Sequence, residues 1–304
     1  MVIRVASAVL ALLALPACGR NGGVPDQELG GLVIAAKPNS APIDVARAAH
    51  DPAELGRALR KPLGAVIAAL GPHSVTLSTD TAVLEGGKPV SDLSDATSIE
   101  LGDKGAFHAI NNNSADYGRE VIYVADMLYL RPRYQRWHGR EPESFDEPAQ
   151  VRDRFYEAIA ATWELVEPGA ELSDLGATQV AGRSGRKIAV KLAPTPRAPA
   201  AEPLAQRKWR ETRTVDVLSG EIVIDADKAV PLAVTLAGVI TFHRDGRTFA
   251  MKLSLTSSVA SVGTAAAIAA PAATDVVATP ERLREVDDRD FLLQGIAPPT
   301  KAKP

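Results

Sequence analysis

The sequence predicts an α+β domain in which helices pack on one face of a large, curved antiparallel sheet. Residues 230–242 and 249–255 alternate between apolar and polar side chains, which is typical of strands that bury one face. Two other stretches, 44–70 and 148–167, repeat apolar residues at steps of three and four, as amphipathic helices do. Strands and helices follow each other in blocks instead of alternating, which argues against a parallel sheet.

The first helical stretch, 44–70, carries start and stop signals. Asp44 and Asp51 are suited to cap helix N-termini, and Pro52 fits a first helical turn. Pro62 is expected to break or kink the helix, and the Gly71-Pro72 pair to end it. The sequence therefore predicts at least two helical pieces before the first strand.

The second helical stretch has a regular apolar face. Val151, Phe155, Ile159 and Trp163 are spaced by four, so they lie along one side of a helix. Pro168-Gly169 then stops the pattern. We predict one continuous helix over 148–167.

The remaining segments are predicted to form strands joined by polar turns. The predicted strands are 73–79, 96–101, 106–110, 119–124, 127–131, 176–181, 187–193, 213–218, 221–225, 230–242 and 249–255. The stretch 119–131 is either a strand pair or one bulged strand. Residues 111–114 and 194–204 are predicted loops, and Asp245-Gly246 is a strong hairpin signal.

The predicted organisation has four parts. An export signal covers 1–18, a tether rich in Gly, Pro and Ala covers 19–43, a single domain covers 44–298, and a disordered tail covers 299–304. Within the domain, Thr279-Pro280 is predicted to open a short helix that runs to about Phe291.

The export signal ends at the only cysteine, Cys18. Arg4 precedes an apolar run of about eleven residues, which is too short for a bilayer, since crossing takes about 20. The tetrapeptide Leu15-Pro16-Ala17-Cys18 resembles the lipobox of bacterial lipoproteins. That resemblance implies that Cys18 becomes the lipidated first residue, carrying acyl chains such as palmitate, and tethers the protein to a membrane of the cell envelope. Gly19 is not the aspartate associated with inner-membrane retention in enteric bacteria, so we expect the periplasmic side of the outer membrane.

Composition narrows the possible functions. Lipidation of Cys18 leaves no thiol for a disulfide, a thiolate metal site or a cysteine nucleophile. The net charge of −3 argues against a nucleic-acid partner, and the 46% hydrophobic content is enough for a real core. The five histidines show no metal-ligand spacing. We expect no metal and no cofactor.

No motif supports catalysis. The segment 182–186 lacks the last glycine of a nucleophile elbow, and Asp225-Ala226-Asp227 lacks the later ligands of a calcium loop. Glu141, Glu143, Asp146 and Glu147 are interpreted as a solvated acidic loop. A serine hydrolase would require Ser184 or another hydroxyl beside a histidine with an acid behind it. The sequence therefore predicts a protein that is not an enzyme.

The segment 123–137 mixes aromatic side chains with arginines. Tyr and Trp suit surfaces that are apolar below and wet above, and arginine pairs with anionic head groups. The segment is therefore either the rim of a pocket or a membrane-facing lip, or else a strand whose aromatics pack into the core. Core packing is the favoured interpretation.

The layout resembles the LolA/LolB and LprG/LppX superfamily. The segment 128–137, Leu-Tyr-Leu-Arg-Pro-Arg-Tyr-Gln-Arg-Trp, is similar to a strand of those carriers, and 222–232 is similar to their strand, Asp-containing turn and next strand. The resemblance implies an unclosed β-barrel with helices as a lid over an apolar cavity, and transport of lipids or lipoprotein acyl chains. The long excursions near Glu141 and Pro194 and the helix at Pro280 depart from the compact carriers.

Two functions are compatible with these observations. The first is a monomeric binding module that holds a lipid or acylated ligand between sheet and helices. The second is a structural or interaction lipoprotein with a fully packed core. The residues expected to line the cavity of a binding module are Leu232, Val234, Leu236, Ile240, Phe242, Phe249, Met251, Leu253, Tyr129, Trp137, Phe155 and Trp163.

Overall fold

The computed structural model of the protein describes residues 41–278. The predicted export signal with Cys18, nearly all of the predicted tether, the helix predicted from Thr279 and the predicted tail lie outside the described residues. The boundaries of the four predicted parts therefore remain predictions.

The described chain contains α-helices, short 3-10 helices and strands. The α-helices are α1 Val45–Ala48, α2 Pro52–Leu59, α3 Leu63–Leu70, α4 Glu147–Asp153 and α5 Ala158–Val166. The 3-10 helices are Asp103–Gly105, Glu167–Gly169, Ala205–Thr212 and Ala273–Asp275. The strands are β1 Ser74–Glu85, β2 Lys88–Leu101, β3 Phe107–Asn113, β4 Gly118–Val124, β5 Met127–Pro132, β6 Trp137–Arg140, β7 Ala170–Val180, β8 Arg183–Leu192, β9 Thr214–Asp225, β10 Pro231–Arg244, β11 Arg247–Ala260 and β12 Val276–Ala278.

The described strands form one unclosed, curved sheet of 12 strands, in the order β12-β6-β5-β4-β3-β2-β1-β11-β10-β9-β8-β7. Two antiparallel meanders, β1–β6 and β7–β11, join where β1 pairs with β11, and Thr79 stands opposite Leu255. The predicted α+β class and unclosed sheet are confirmed. One pair departs from the antiparallel pattern, because β12 runs parallel to β6.

The sheet has an inner face and an outer face, and the strand register shows which side chains belong to each. Residues directly opposite each other on paired strands point to the same face. We call inner the face that bears Leu236 and Leu255, which pair directly. Helix α5 covers this face, since a Cβ placed on Gly238 would lie 3.6 Å from Val166 Cγ1.

The first helical stretch follows its sequence signals. The Asp44 side chain accepts hydrogen bonds from Ala46 N and Arg47 N, and the Asp51 side chain caps α2 in the same way. Pro62 separates α2 from α3, as predicted. Three short helices result.

The predicted continuous helix over 148–167 is wrong, because the chain turns between α4 and α5. Phe155 N bonds to Arg152 O, and Tyr156 N to Asp153 O, which are the i, i+3 bonds of a tight turn. Phe155 is 5% exposed and Tyr156 4%. Both side chains are therefore buried at the turn between the two helices.

Several strands also differ from the prediction. The predicted loop 111–114 is wrong, because Asn111–Asn113 belong to β3. The segments 213–218 and 221–225 form one strand, β9, since Gly220 marks a close backbone approach and not a break: a Cβ there would lie 2.2 Å from Thr235 O. Between β4 and β5, Ala125 and Asp126 adopt positive φ angles, so 119–131 is a hairpin rather than one bulged strand.

Candidate ligand-binding face

The inner face of β9–β11 is apolar and fully buried. Ile240 pairs with Met251, and Phe242 pairs with Phe249, with ring centroids 5.4 Å apart. The exposures of the predicted lining residues here are 0% for Val234, 1% for Leu236, 0% for Ile240, 1% for Phe242, 3% for Phe249, 7% for Met251 and 7% for Leu253. The predicted alternation therefore places these seven residues together.

Leu232 is buried but lies outside this regular row. The β9–β10 register shifts between Pro231 and Ala233, which is the mark of a β-bulge. A Cβ placed on Gly185 would lie 3.5 Å from Leu232 Cδ1, so the Leu232 side chain lies against strand β8. The bulge is not visible in the sequence pattern, which continues through this position.

The covering layer supplies two of the predicted lining residues, Trp163 from α5 and Phe155 from the turn between α4 and α5. Trp163 is fully buried, and its indole nitrogen would lie 2.8 Å from a Cβ placed on Gly56 in α2. The glycine thus lets α2 and α5 approach closely. Helix α5 in turn packs on β10 and β11.

Trp209 is part of the cover, and no sequence pattern indicated it. Its ring lies 4.5 Å from the Phe242 ring, measured between centroids. Arg210 Nη1 lies 3.0 Å from Glu164 Oε2 in α5, and Arg213 donates hydrogen bonds to the Glu164 and Leu165 carbonyl oxygens at 2.9 and 3.1 Å. These bonds satisfy carbonyls at the C-terminus of the helix. The only sequence feature that could have indicated this role is the position of Trp209 as a single aromatic residue in a strongly polar stretch.

The inner face becomes polar on β1–β4, towards the β3–β4 turn. One cross-strand row consists of Leu77, Thr97, Asn111, Arg119 and Pro132, and the next consists of Thr79, Asp95 and Asn113. The polar members of both rows are half-buried. Farther from the turn, the row of Val75, Ile99, Ala109, Val121 and Leu130 is apolar and buried.

The charged groups of this polar region are perturbed by burial. Burial, followed by repulsion from Arg154, lowers the pKa of Arg119 to about 10, so the guanidinium stays charged at neutral pH. Its central carbon lies 4.5 Å from the centroid of the Phe155 ring, in a cation–π contact. Burial raises the pKa of Asp95, although hydrogen bonds from Asn111 and Asn113 act in the opposite direction.

Tyr129 and Trp137 do not belong to the inner face. Leu130 pairs with Val121 on the inner face, so its neighbour Tyr129 points to the outer face. His138 pairs with Leu130, which places Trp137 on the outer face as well. The Arg131 guanidinium lies 4.4 Å from the Trp137 ring centroid. The register therefore removes both aromatics from the predicted lining.

The arginines of the aromatic segment have partners within the protein. Arg131 Nε donates to Glu120 Oε2 at 3.0 Å, Arg133 pairs with Asp116, and Arg136 donates to Thr274 O. Trp137 is 5% exposed, whereas Tyr134 is 77% exposed at the β5–β6 turn. Packing of Trp137 on the outer face and internal ion pairs thus account for most of this segment, and Tyr134 is its exposed member.

The acidic loop contains one buried carboxylate. Glu147 and Arg140 form a double ion pair with side chains 9% and 4% exposed, and Arg140 Nη1 lies 2.9 Å from Glu147 Oε2. Glu141, Glu143 and Asp146 are exposed, as expected for a solvated loop. The interpretation of Glu147 as solvated is wrong, because the side chain joins β6 to α4.

Asp225 closes a turn. Its Oδ1 accepts hydrogen bonds from Asp227 N and Lys228 N at 3.0 and 2.8 Å, and its Oδ2 accepts one from Arg183 Nε at 2.9 Å. Ser184 is exposed in the neighbouring hairpin.

Between residues 41 and 278, no group of three or more His, Cys, Asp or Glu side chains is placed to hold a metal ion. Over the same residues, every helix is too short or too polar to span a bilayer.

No family model and no curated protein matches the chain. Several solved structures are similar to it. LprF from Mycobacterium bovis shows 14% identity over 73% of this chain and 99% of LprF, with a TM-score of 0.30. LppX from Mycobacterium tuberculosis shows 15% identity over 68% of this chain and 94% of LppX, with a TM-score of 0.27. A LolA superfamily protein from Nitrosomonas europaea shows 7% identity, covers 71% of this chain and 90% of its own, and has a TM-score of 0.17. The structures similar to this chain thus include a member of the LolA superfamily, the group that the sequence resembles.

Proposed function

We propose that the protein is a lipid-anchored lipoprotein of the bacterial cell envelope that binds a lipid or an acylated ligand between its sheet and its helices, without catalysing a reaction. The anchor would be Cys18, on the periplasmic side of the outer membrane. A lipid anchor followed by a flexible tether holds such a domain within reach of bilayer lipids.

One observation carries this proposal: the inner face of the sheet extends beyond its complete cover. On β10 and β11 its apolar side chains are buried under α5 and Trp209. On β1–β4, towards the β3–β4 turn, the same face is half-buried, and the side chains of Leu93 and Thr81 lie opposite each other there. An apolar face that adjoins a half-buried, accessible region suits a ligand with an apolar chain, since apolar sites bind apolar ligands.

The burial of the candidate residues favours the second function, a structural lipoprotein with a packed core. Side chains such as Ile240 and Trp163 are 0% exposed and contribute to stability whether or not a ligand binds. In that case the protein would dock an envelope partner through its outer surface. The two functions differ in whether the domain takes up an acyl chain.

The experiment that separates the two functions measures binding of a fluorescent NBD-labelled stearic acid, together with native mass spectrometry of the gently purified protein. Leu93→Trp would fill the half-buried inner face, and Ala96→Trp on the exposed outer face of the same strand is the matched control. We expect saturable binding that Leu93→Trp weakens at least tenfold and Ala96→Trp leaves unchanged. Absence of both probe binding and co-purified lipid would refute ligand binding and support the packed-core function.

A further inference from the structure

One end of the sheet gathers most of the exposed apolar side chains. The β1–β2, β3–β4 and β5–β6 turns lie at this end, because the strands of an antiparallel meander turn at alternate ends. The β10–β11 turn joins them, since Glu85 pairs with Phe249. The segment 204–212 lies here too, because Thr212 Oγ1 donates a hydrogen bond to His243 O at 3.1 Å. We call this end of the sheet, with its four turns and the segment 204–212, the turn end.

The turn end is more apolar than the rest of the described surface. Between residues 41 and 278, seven large hydrophobic side chains are exposed, and four of them lie on the turn end. These four are Val90, which is 37% exposed, Tyr117 at 54%, Tyr134 at 77% and Leu204 at 36%. They come from separate parts of the chain, so their gathering at one end is a property of the fold.

Tyr134 is held in place although it is exposed. Its φ angle of 66° lies in the left-handed region, which large side chains rarely adopt. Its hydroxyl donates a hydrogen bond to Asp116 Oδ1 at 2.9 Å, which links the β5–β6 turn to the β3–β4 turn. The central carbon of the Arg133 guanidinium lies 4.9 Å from the centroid of its ring. A strained backbone that holds an aromatic ring in water indicates a role for the ring in binding.

The turn end is also rich in positive charge. Exposed cations outnumber exposed carboxylates there: the cations are Lys88, Arg136, Arg207, Lys208 and Arg247, and the carboxylates are Asp92, Asp116 and Asp245. Asp116 and Asp245 each have an arginine partner, at 3.3 and 3.5 Å. An anionic surface in contact with the turn end would therefore meet an excess of positive charge.

We propose that the turn end docks on the surface of a bilayer that contains anionic phospholipids. Tyrosine is suited to the layer between head groups and acyl chains, because its ring is apolar and its hydroxyl is polar. Exposed lysine and arginine side chains are attracted to anionic head groups. The contact can be small, because the proposed anchor already keeps the domain at a high local concentration near the membrane. The inference rests on the proposed anchor and not on ligand uptake, and it adds an orientation of the domain.

The test reads the surroundings of an NBD label at either end of the lipidated protein in vesicles. Val90→Cys carries the label at the turn end and leaves both tyrosines in place. Phe145→Cys is the matched control, because the strand before it ends where Arg140 pairs with Leu128, at the opposite end of the sheet. Cys18 is the only other cysteine, and acylation would block its thiol. The vesicles contain POPC alone or POPC with POPG, and a lipid spin-labelled near its head group quenches NBD fluorescence.

In vesicles with POPG, we expect the label at position 90 to be quenched at least about threefold more than the label at position 145. POPC alone should give a smaller difference, and so should salt at about 1 M, where the screening length is about 3 Å. Tyr117→Ser combined with Tyr134→Ser should remove about half of the difference, since both aromatic contacts are lost. Far-UV circular dichroism checks folding, and Lys88→Glu with Arg207→Glu replaces the double tyrosine variant if that variant does not fold.

Four outcomes separate this inference from its alternatives. Equal quenching at both positions, or none at position 90, would overturn it, because the domain would have no preferred end at the membrane. The same difference in POPC and in POPG would refute the assigned lipid chemistry. A spectral change at position 90 without vesicles that grows with protein concentration would show that a second copy of the chain covers the turn end. Absence of acyl chains on Cys18 would refute the proposed anchor. The label at position 90 in a Cys18→Ser background, with POPG vesicles in excess, would then decide the docking: quenching would support it and no quenching would overturn it.

Discussion

The Trp209 ring packs on the Phe242 ring with centroids 4.5 Å apart and planes inclined by 47°. Phe242 in turn stacks on Phe249, so three aromatic rings close one end of the inner face. Trp209 comes from the 3-10 helix Ala205–Thr212, which Arg210 and Arg213 connect to the C-terminal end of α5. The same segment therefore covers the sheet and holds a covering helix.

Replacing Trp209 by alanine should destabilise the domain by about 2 kcal/mol, because a half-buried aromatic contact is lost. Trp209→Phe retains a stacking ring and should recover most of that stability. Urea unfolding followed by far-UV circular dichroism measures both variants. An alanine variant as stable as the wild type would show that the contact with Phe242 does not contribute to the cover.

Replacing Arg140 by methionine should cost about 3–5 kcal/mol, since it leaves the Glu147 carboxylate buried without its ion partner. Arg140→Met combined with Glu147→Met should be more stable than Arg140→Met alone, because no buried charge then remains unpaired. Urea unfolding at neutral pH provides the comparison. A double variant less stable than Arg140→Met would show that Glu147 stabilises the fold without Arg140, for instance through the hydrogen bond that its Oε2 accepts from Glu143 N at 2.7 Å.

The sequence pattern was sufficient to predict the buried face of a strand where that face is uniformly apolar. It correctly assigned Val234, Leu236, Ile240 and Phe242 to one face, and it located the turn at Asp245-Gly246, whose positive φ angles suit a two-residue hairpin loop. The N-caps at Asp44 and Asp51 were also predictable, because capping depends on residues adjacent in sequence.

Features that depend on distant partners were not predictable. The first half of β2 is mostly polar, and its strand form depends on cross-strand bonds such as that from Ser94 Oγ to Asp80 Oδ1 at 2.6 Å. The short strands β6 and β12 form because each finds an edge to pair with. The half-buried polar residues Asp95, Asn111 and Arg119 meet only through register, since they come from three different strands.

Stability should fall as the pH drops below about 6.5, in part through His73. This side chain is 1% exposed, and burial lowers its pKa from 6.5, although a hydrogen bond from Nδ1 to Gly71 O at 2.7 Å acts in the opposite direction. Because the folded pKa is the lower one, the unfolded chain binds a proton first, and the stabilising contribution is lost as the pH falls from 6.5 through the folded pKa. Burial lowers the pKa of His138 as well, so that residue adds to the same loss.

His73→Asn isolates the contribution of His73, because an amide can still donate to Gly71 O and does not titrate. The variant should lose less stability than the wild type between pH 7 and pH 5.5, measured as the change in urea midpoint. Identical pH dependence in His73→Asn and wild type would show that His73 is not the group responsible.

Replacing Cys18 by serine should release the protein from the membrane. The proposed anchor is a lipid on the thiol of Cys18, which is the only cysteine of the chain, so no other residue can take its place in this chemistry. Expressed in a Gram-negative host, the wild type should partition into the membrane fraction and carry a mass increase of two to three acyl chains, whereas Cys18→Ser should be found without that mass. Ala17→Gly keeps a small residue before the cysteine and should behave as the wild type does. Membrane retention of Cys18→Ser with the acyl mass intact would refute the anchor, and retention without the mass would mean that another segment holds the protein at the membrane.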